Sequence, residues 1–187
     1  MYVTTVISPF SDVVLFSQNS VASDERGSFV ELYREVEFEC VIPKIKFVQE
    51  NVSESHGGVF RGLHYQNPHP QGKLVRVLCG SVLDIFVDLR ESSPTFGMAG
   101  SVFLSSINKC LWIPPGFAHG FYVPRETTKF SYKLTDYYKP EAEHCLLWND
   151  PLLSSVRKIL KDWNIVEPTV SYKDTHGKTW NDCEKFA

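Results

Sequence analysis

Between about Phe47 and Leu147 the apolar residues fall in short runs of period two, the spacing of half-buried strands. Val82 to Arg90 is the clearest. Leu83, Ile85, Val87 and Leu89 alternate with Val82, Asp84, Phe86 and Asp88, which puts both aspartates on one face. Lys73 to Cys79, Ser101 to Leu104, Cys110 to Ile113, Gly120 to Val123 and Lys129 to Leu134 read the same way. Gly80, Pro94, Gly97, Pro114-Pro115-Gly116 and Pro124 stand between the runs as turn formers. Many short strands at this spacing predict a sandwich or closed barrel. After Trp148 the period changes. Leu152, Val156, Ile159, Leu160 and Trp163 recur at helical spacing, with Asp150-Pro151 as N-cap and first-turn proline and Asn164 as the stop. The pattern predicts one all-β domain over residues 1–187. Residues 1–50 form an N-terminal arm and strands, and 150–187 a helical C-terminal extension whose tail is polar.

Composition narrows the class without changing that outline. The chain has 187 residues, 43% hydrophobic and 22% charged, which excludes a disordered or collagen-like chain and allows one full core. Nineteen basic against 22 acidic residues give a net charge of −3, against a binder of nucleic-acid backbones. No apolar run approaches a membrane span, and the start, MYVTTVISPFSD, lacks the features of a signal peptide. The five cysteines (Cys40, Cys79, Cys110, Cys145, Cys183) are widely spaced and contain no C-x-x-C, as expected for reduced thiols in a cytoplasmic protein. The sequon Asn51-Val52-Ser53 is then a chance match.

The candidate chemistry concentrates in two stretches. Arg61-Gly62-Leu63-His64, followed by Gln71-Gly72-Lys73, places two cations around a histidine in a β-rich core, which is unfavourable unless an anion or ligand sits there. Arg61 and Lys73 pairing with rim carboxylates is the structural alternative. Regular alternation sets Arg61 on the face opposite His64 unless a bulge intervenes. His119, in Gly116-Phe117-Ala118-His119-Gly120-Phe121, adds a second histidine after a tight turn. Tyr132 opens a tyrosine cluster, although a tyrosine in a strand is commonly core. A cupin metal site wants two histidines at i and i+2. Here the nearest pair is His64 and His69, interrupted by Pro68, so a metal centre is not expected.

Together these segments resemble the dTDP-4-dehydrorhamnose 3,5-epimerases of nucleotide-sugar biosynthesis. The resemblance runs from Asp24-Glu25-Arg26-Gly27 through Phe47-Val48-Gln49-Glu50-Asn51, Arg61 to His64, Ser93-Pro94-Thr95-Phe96-Gly97 and Gly116 to Phe121, to Tyr132-Lys133 and Trp148-Asn149-Asp150-Pro151. It implies a cupin-type jelly roll, a homodimer whose N-terminal arm helps complete the partner's site, and no cofactor. It also implies His64 as base, Tyr132 as acid, Lys73 beside the enolate oxygen, and Asp174 holding the histidine. Arg26, Glu31, Gln49, Asn51, Arg61, His119, Tyr137, Glu143 and Lys173 are implied to bind the nucleotide sugar. Arg61 and Lys173 lie at phosphate, Tyr137 stacks on the base, and Asp84 orients His119. The chain departs from the family pattern after Asp150, where the longer Leu152 to Trp163 segment replaces a short I-x-W-P run. Three other readings stay open: a single-carbon (C3) epimerase on another nucleotide such as CDP-4-keto-6-deoxyglucose, a metal cupin using His64, His69 and His119, and a non-catalytic binder of nucleotide sugars.

Overall fold

Buried apolar side chains gather in three layers separated by two antiparallel sheets. The structure, a computed structural model, describes residues 2–18 and 21–187. In chain order its strands are β1 Tyr2–Val6, β2 Val14–Gln18, β3 Ala22–Asp24, β4 Gly27–Phe29, β5 Gln49–Ser55, β6 Phe60–Gln66 and β7 Lys73–Cys79. They continue with β8 Val82–Asp88, β9 Ala99–Leu104, β10 Lys109–Ile113, β11 Phe117–Tyr122, β12 Thr128–Leu134 and β13 Glu143–Cys145. The α-helices are α1 Glu35–Glu39, α2 Ser154–Asp162 and α3 Tyr172–Thr175.

One sheet has the order β1-β2-β10-β7-β12-β5 and the other β13-β6-β11-β8-β9, with β3 and β4 as a separate hairpin. Neighbours within each sheet are mostly distant in sequence, and the two sheets face each other as the expected cupin-like jelly roll. Strand parity explains the layers. Val82 and Phe86 of β8 point between the sheets, where they meet Phe10, Val75, Leu111 and Phe130. Leu83, Ile85 and Val87 point outward and are equally buried, under Leu153, Val156 and Leu160 of the C-terminal extension. The apolar residues on both faces of β8 therefore report a strand covered on both sides. On the other sheet, Phe16, Leu74 and Trp112 point outward beneath Phe38 and Ile42.

The helical prediction holds with shifted ends. Asp150 does not cap α2, whose N-cap position is Leu153. Instead its buried carboxylate accepts from the Leu152 amide at 2.7 Å and from the Trp180 amide at 2.7 Å. Asp150 thus closes the Pro151 turn ahead of the helix and ties the tail back to it. The helix ends at Asp162, and Asn164 follows in a left-handed conformation with φ 53, which asparagine tolerates. The polar tail is ordered by main-chain bridges, Leu146 to Lys178 and Arg90 to Phe186, and by the single turn α3.

Candidate active site

The register of β5, β12 and β7 builds one wall of a cleft between the sheets. Gln49, Leu134 and Lys73 form one row of paired residues, and Asn51, Tyr132 and Val75 the next. The row after that, Ser53, Phe130 and Val77, lies outside the cleft lining. The facing wall comes from the other sheet, where β6 and β11 set His64 and His119 side by side, while Cys145 of β13, paired with His64, stays outside the cleft lining. The open cleft between them has a volume of about 460 Å³, with Gln49, Asn51, Lys73 and Tyr132 on one side and His64, His119 and Glu143 on the other.

Arg61 also reaches this cleft, against simple alternation. Two steps along β11, from His119 to Phe121, correspond to three along β6, from His64 to Arg61, and this bulge turns Arg61 to the side of His64. Gly62 makes it possible. Its φ is +118, and a Cβ there would stand 2.6 Å from the Gly120 Cα and 2.8 Å from the His119 carbonyl oxygen. The Arg61 guanidinium crosses to the opposite sheet, donating to Ser55 Oγ at 2.9 Å and to the Glu54 carbonyl at 3.2 Å.

His64 pairs through Nε2 with Asp174 Oδ1 at 2.6 Å. Burial raises the Asp174 carboxyl, but the bonds from His64, Ser171 and the Gly62 amide outweigh it and hold the group below its usual range. An ionised Asp174 accepts Nε2–H, which leaves Nδ1 of a neutral ring without a proton. Cys145 Sγ lies 3.7 Å from the same carboxylate oxygen. Its thiol is pushed up to about 12, first by burial and then by the Asp174 charge, so it stands protonated.

Lys73 is buried and donates from Nζ to the His64 carbonyl at 3.1 Å, spanning the gap between the sheets. Burial pushes its pKa down to about 8, partly opposed by Asp84 and Glu143, so it remains cationic at neutral pH. His119 pairs through Nε2 with the fully buried Asp84 at 2.8 Å. Burial lowers the His119 imidazole and raises the Asp84 carboxyl, each partly offset by its partner. Tyr132 has its phenol raised by burial, with the Arg61 charge opposing. It is a phenol, not a phenolate, across the neutral range.

At the mouth Lys173 Nζ donates to Glu143 Oε1 at 2.7 Å and Tyr138 Oη to Glu143 Oε2 at 3.0 Å. These bonds outweigh burial and keep Glu143 low, and in return Glu143 raises Lys173. Tyr138 lines the cleft, whereas the expected Tyr137 is 60% exposed and does not. The Tyr138 amide donates to Gln49 Oε1 at 2.8 Å, and this anchor decides which of the two rings turns inward. Arg26 and Glu31 lie away from this cleft. Arg26 pairs with Asp24 on the exposed β3–β4 hairpin, and Glu31 pairs with Arg34 at 2.7 Å. Gln66 and Gln71 line the cleft without having been singled out from sequence, although Gln66 stands opposite Glu143 in the β6–β13 register. His69 lies beside Asp136 at 3.6 Å, outside the cleft lining, so the His64, His69 and His119 metal set is not assembled.

The sequence profile of the dTDP-4-dehydrorhamnose 3,5-epimerase family matches residues 8–182. The epimerase of that name from Pseudomonas aeruginosa is 49% identical over 179 residues, 94% of each chain. The one from Neisseria gonorrhoeae is 49% identical over 169 residues, but the chain spans only 50% of that protein's length. Among solved structures, an epimerase from Legionella pneumophila in complex with dTDP-4-keto-L-rhamnose superposes with a TM-score of 0.87 at 41% identity. That match covers 97% of this chain and 94% of the other. Sequence profile, full-length relatives and fold agree, and the chain belongs to the dTDP-4-dehydrorhamnose 3,5-epimerase family.

Proposed function

We propose that this protein epimerises a dTDP-linked 4-keto-6-deoxyhexose at C3 and C5, without a cofactor. The observation that carries the reading is the His64–Asp174 pair at 2.6 Å on one wall of the cleft, with the phenol of Tyr132 on the other. C3 and C5 flank the same C4 carbonyl, so one base, one cation and one acid can serve both carbons. In this reading Nδ1 of His64 removes the α-proton, and the imidazolium that forms is stabilised by Asp174. The C4 oxygen takes up the negative charge beside the Lys73 ammonium, a cation already fixed in place and poorly hydrated. Tyr132 returns a proton to the opposite face, which inverts the carbon.

The remaining residues bind. Arg61 offers a planar fork to the diphosphate, and Lys173, now held by Glu143, is close enough to the rim to join it. Tyr138, in place of Tyr137, gives the base a stacking surface, and Gln49, Asn51 and His119 meet the sugar. Residues 1–187 work as one domain, because α3 of the C-terminal extension supplies Asp174. A homodimer accounts for the exposed hairpin: Arg26 and Glu31 would complete the partner's cleft. The five free thiols suit a reducing cytoplasm.

The test is incubation with dTDP- and CDP-4-keto-6-deoxyglucose in D₂O, following deuterium at C3 and C5 by NMR. Exchange at both carbons of the dTDP sugar is the expected result. Exchange at C3 alone, or preference for the CDP sugar, would replace the assignment with a single-carbon or CDP-specific epimerase. No exchange with either would leave a binding protein.

A further inference from the structure

The thiol of Cys145 gives the His64–Asp174 pair a third donor. A ring nitrogen of His64, a carboxylate oxygen of Asp174 and Sγ of Cys145 lie within 4.8 Å of one another, and Nε2 is the His64 nitrogen that faces Asp174. They are the one such three-donor group found among the described residues. We propose that these three atoms form a site for a soft divalent cation, Zn²⁺ above all, whose binding switches the enzyme off. The inhibitory half rests on the epimerase reading above; the site itself does not.

The donor chemistry selects the ion. One imidazole, one thiolate and one carboxylate suit Zn²⁺ and repel little else of its class, whereas Mg²⁺ and Ca²⁺ prefer sets of oxygens. Tetrahedral zinc with bonds of about 2.0–2.3 Å keeps its donors about 3.3–3.7 Å apart. The Sγ to Oδ1 distance of 3.7 Å already meets this. The 2.6 Å contact between Nε2 and Oδ1 must open by somewhat less than 1 Å, within reach of side-chain rotation. Three protein donors leave a fourth position for water from the cleft, which His64 lines.

Binding has a defined proton balance. The cation displaces the Nε2 proton that His64 shares with Asp174, and that proton moves to Nδ1 of the neutral ring. The Cys145 thiol proton leaves to solvent, and no oxidant or reductant is involved. His64 then carries its proton on the very atom that must accept one from the sugar, and Asp174 is committed to the metal. The base is blocked without any substrate contact being lost.

The experiment compares EDTA-treated wild type with Cys145→Ser and Cys145→Ala. Zn²⁺ binding is read by equilibrium dialysis, Co²⁺ ligation by the thiolate-to-cobalt charge-transfer band, and activity by deuterium exchange. Wild type is expected to bind one Zn²⁺ per chain, to lose exchange in proportion to occupancy and to regain it with EDTA. Both variants should exchange normally without metal but need at least about tenfold more Zn²⁺ for inhibition, since even outer partners of a metal matter by about 10–100-fold. They should also lack the cobalt band, which separates Cys145 from the exposed Cys40 and Cys79. Equal Zn²⁺ sensitivity in wild type and variants, or a cobalt band that survives loss of Cys145, would overturn the site. Stoichiometric binding with full activity would overturn the inhibition and leave the site. A metal-free wild type with no exchange would refute the epimerase reading instead.

Discussion

His64 and Asp174 are separated by 110 residues, yet Nε2 and Oδ1 stand 2.6 Å apart. The aspartate arrives on α3, a single turn capped by the Ser171 side chain, and its second oxygen faces the Gly62 amide at 3.4 Å. The carboxylate is thus oriented by donors on both oxygens, and it fixes one tautomer of the ring.

Asp174→Asn tests that role. If the amide oxygen stays on His64, the NH₂ group points at the Gly62 N–H, donor against donor. If the amide flips, its NH₂ meets Nε2 and the proton is driven onto Nδ1. Neither orientation stabilises an imidazolium. Exchange at C3 and C5 should fall together by about 10²–10⁴-fold, the usual contribution of a placed base, with KM nearly unchanged. An undiminished kcat in a folded variant would detach Asp174 from the chemistry.

Lys73 is kept charged against burial, so its removal should separate stability from activity. Its pKa falls from 10.5 to about 8 on folding. Because the charged form is the one disfavoured, the penalty is fully present below about 8 and is relieved as pH rises from there to 10.5. At neutral pH it is about 3 kcal/mol on the scale of 1.4 kcal/mol per tenfold. Lys73→Met should therefore raise Tm at neutral pH, with the gain shrinking across that alkaline window, while kcat collapses. The kcat/KM of wild type should decline as pH passes about 8, as the ammonium is lost. A variant that is both less stable and fully active would contradict the assignment.

Much of this was legible in the sequence because strand parity is robust: it set Asp84 and Asp88 on one face, and β7 and β12 emerged where the alternation put them. Three features were not legible, each for a local reason. The bulge at Gly62 reverses the facing of Arg61, and nothing in an alternating pattern fixes where an extra residue is absorbed. Tyr137 and Tyr138 are equivalent to any periodicity, and the choice is made by one amide bond to Gln49. Asp150 carries the signature of a helix cap, but the Trp180 amide, 30 residues away, claims one of its oxygens. His64 and Asp174 come together through tertiary packing alone; only the family resemblance pointed to that pair.

The hairpin offers a test of assembly. Arg26 has a side chain 85% exposed, and Phe29 nearby is 75% exposed, an arrangement that suits an arm reaching a second copy. His64→Ala and Arg26→Ala, each impaired alone, should complement when co-refolded. In a mixed dimer one cleft carries both defects and the other neither, so random pairing restores about one quarter of the intact sites. A mixture no more active than the average of its parents would show that each arm serves its own chain, or none.

Tyr132→Phe should divide the reaction at its midpoint. The ring is partly buried, 6.4 Å from Phe130 centroid to centroid, and loses only its hydroxyl, so folding should survive. Burial raises the phenol above its ordinary 10.0, so at neutral pH the wild-type group holds the proton it must donate. With His64 and Lys73 intact, the α-proton can still leave, exchange with solvent and return on the face it left. The variant should therefore wash deuterium into the unchanged sugar while forming little inverted product. Exchange without inversion is a result that a merely damaged cleft does not produce, since loose binding slows both alike. Equal loss of the two would make Tyr132 a residue that holds the sugar. Inversion at the wild-type rate would pass the acid's role to another donor, and Tyr138, already in the cleft wall, would be the first to substitute.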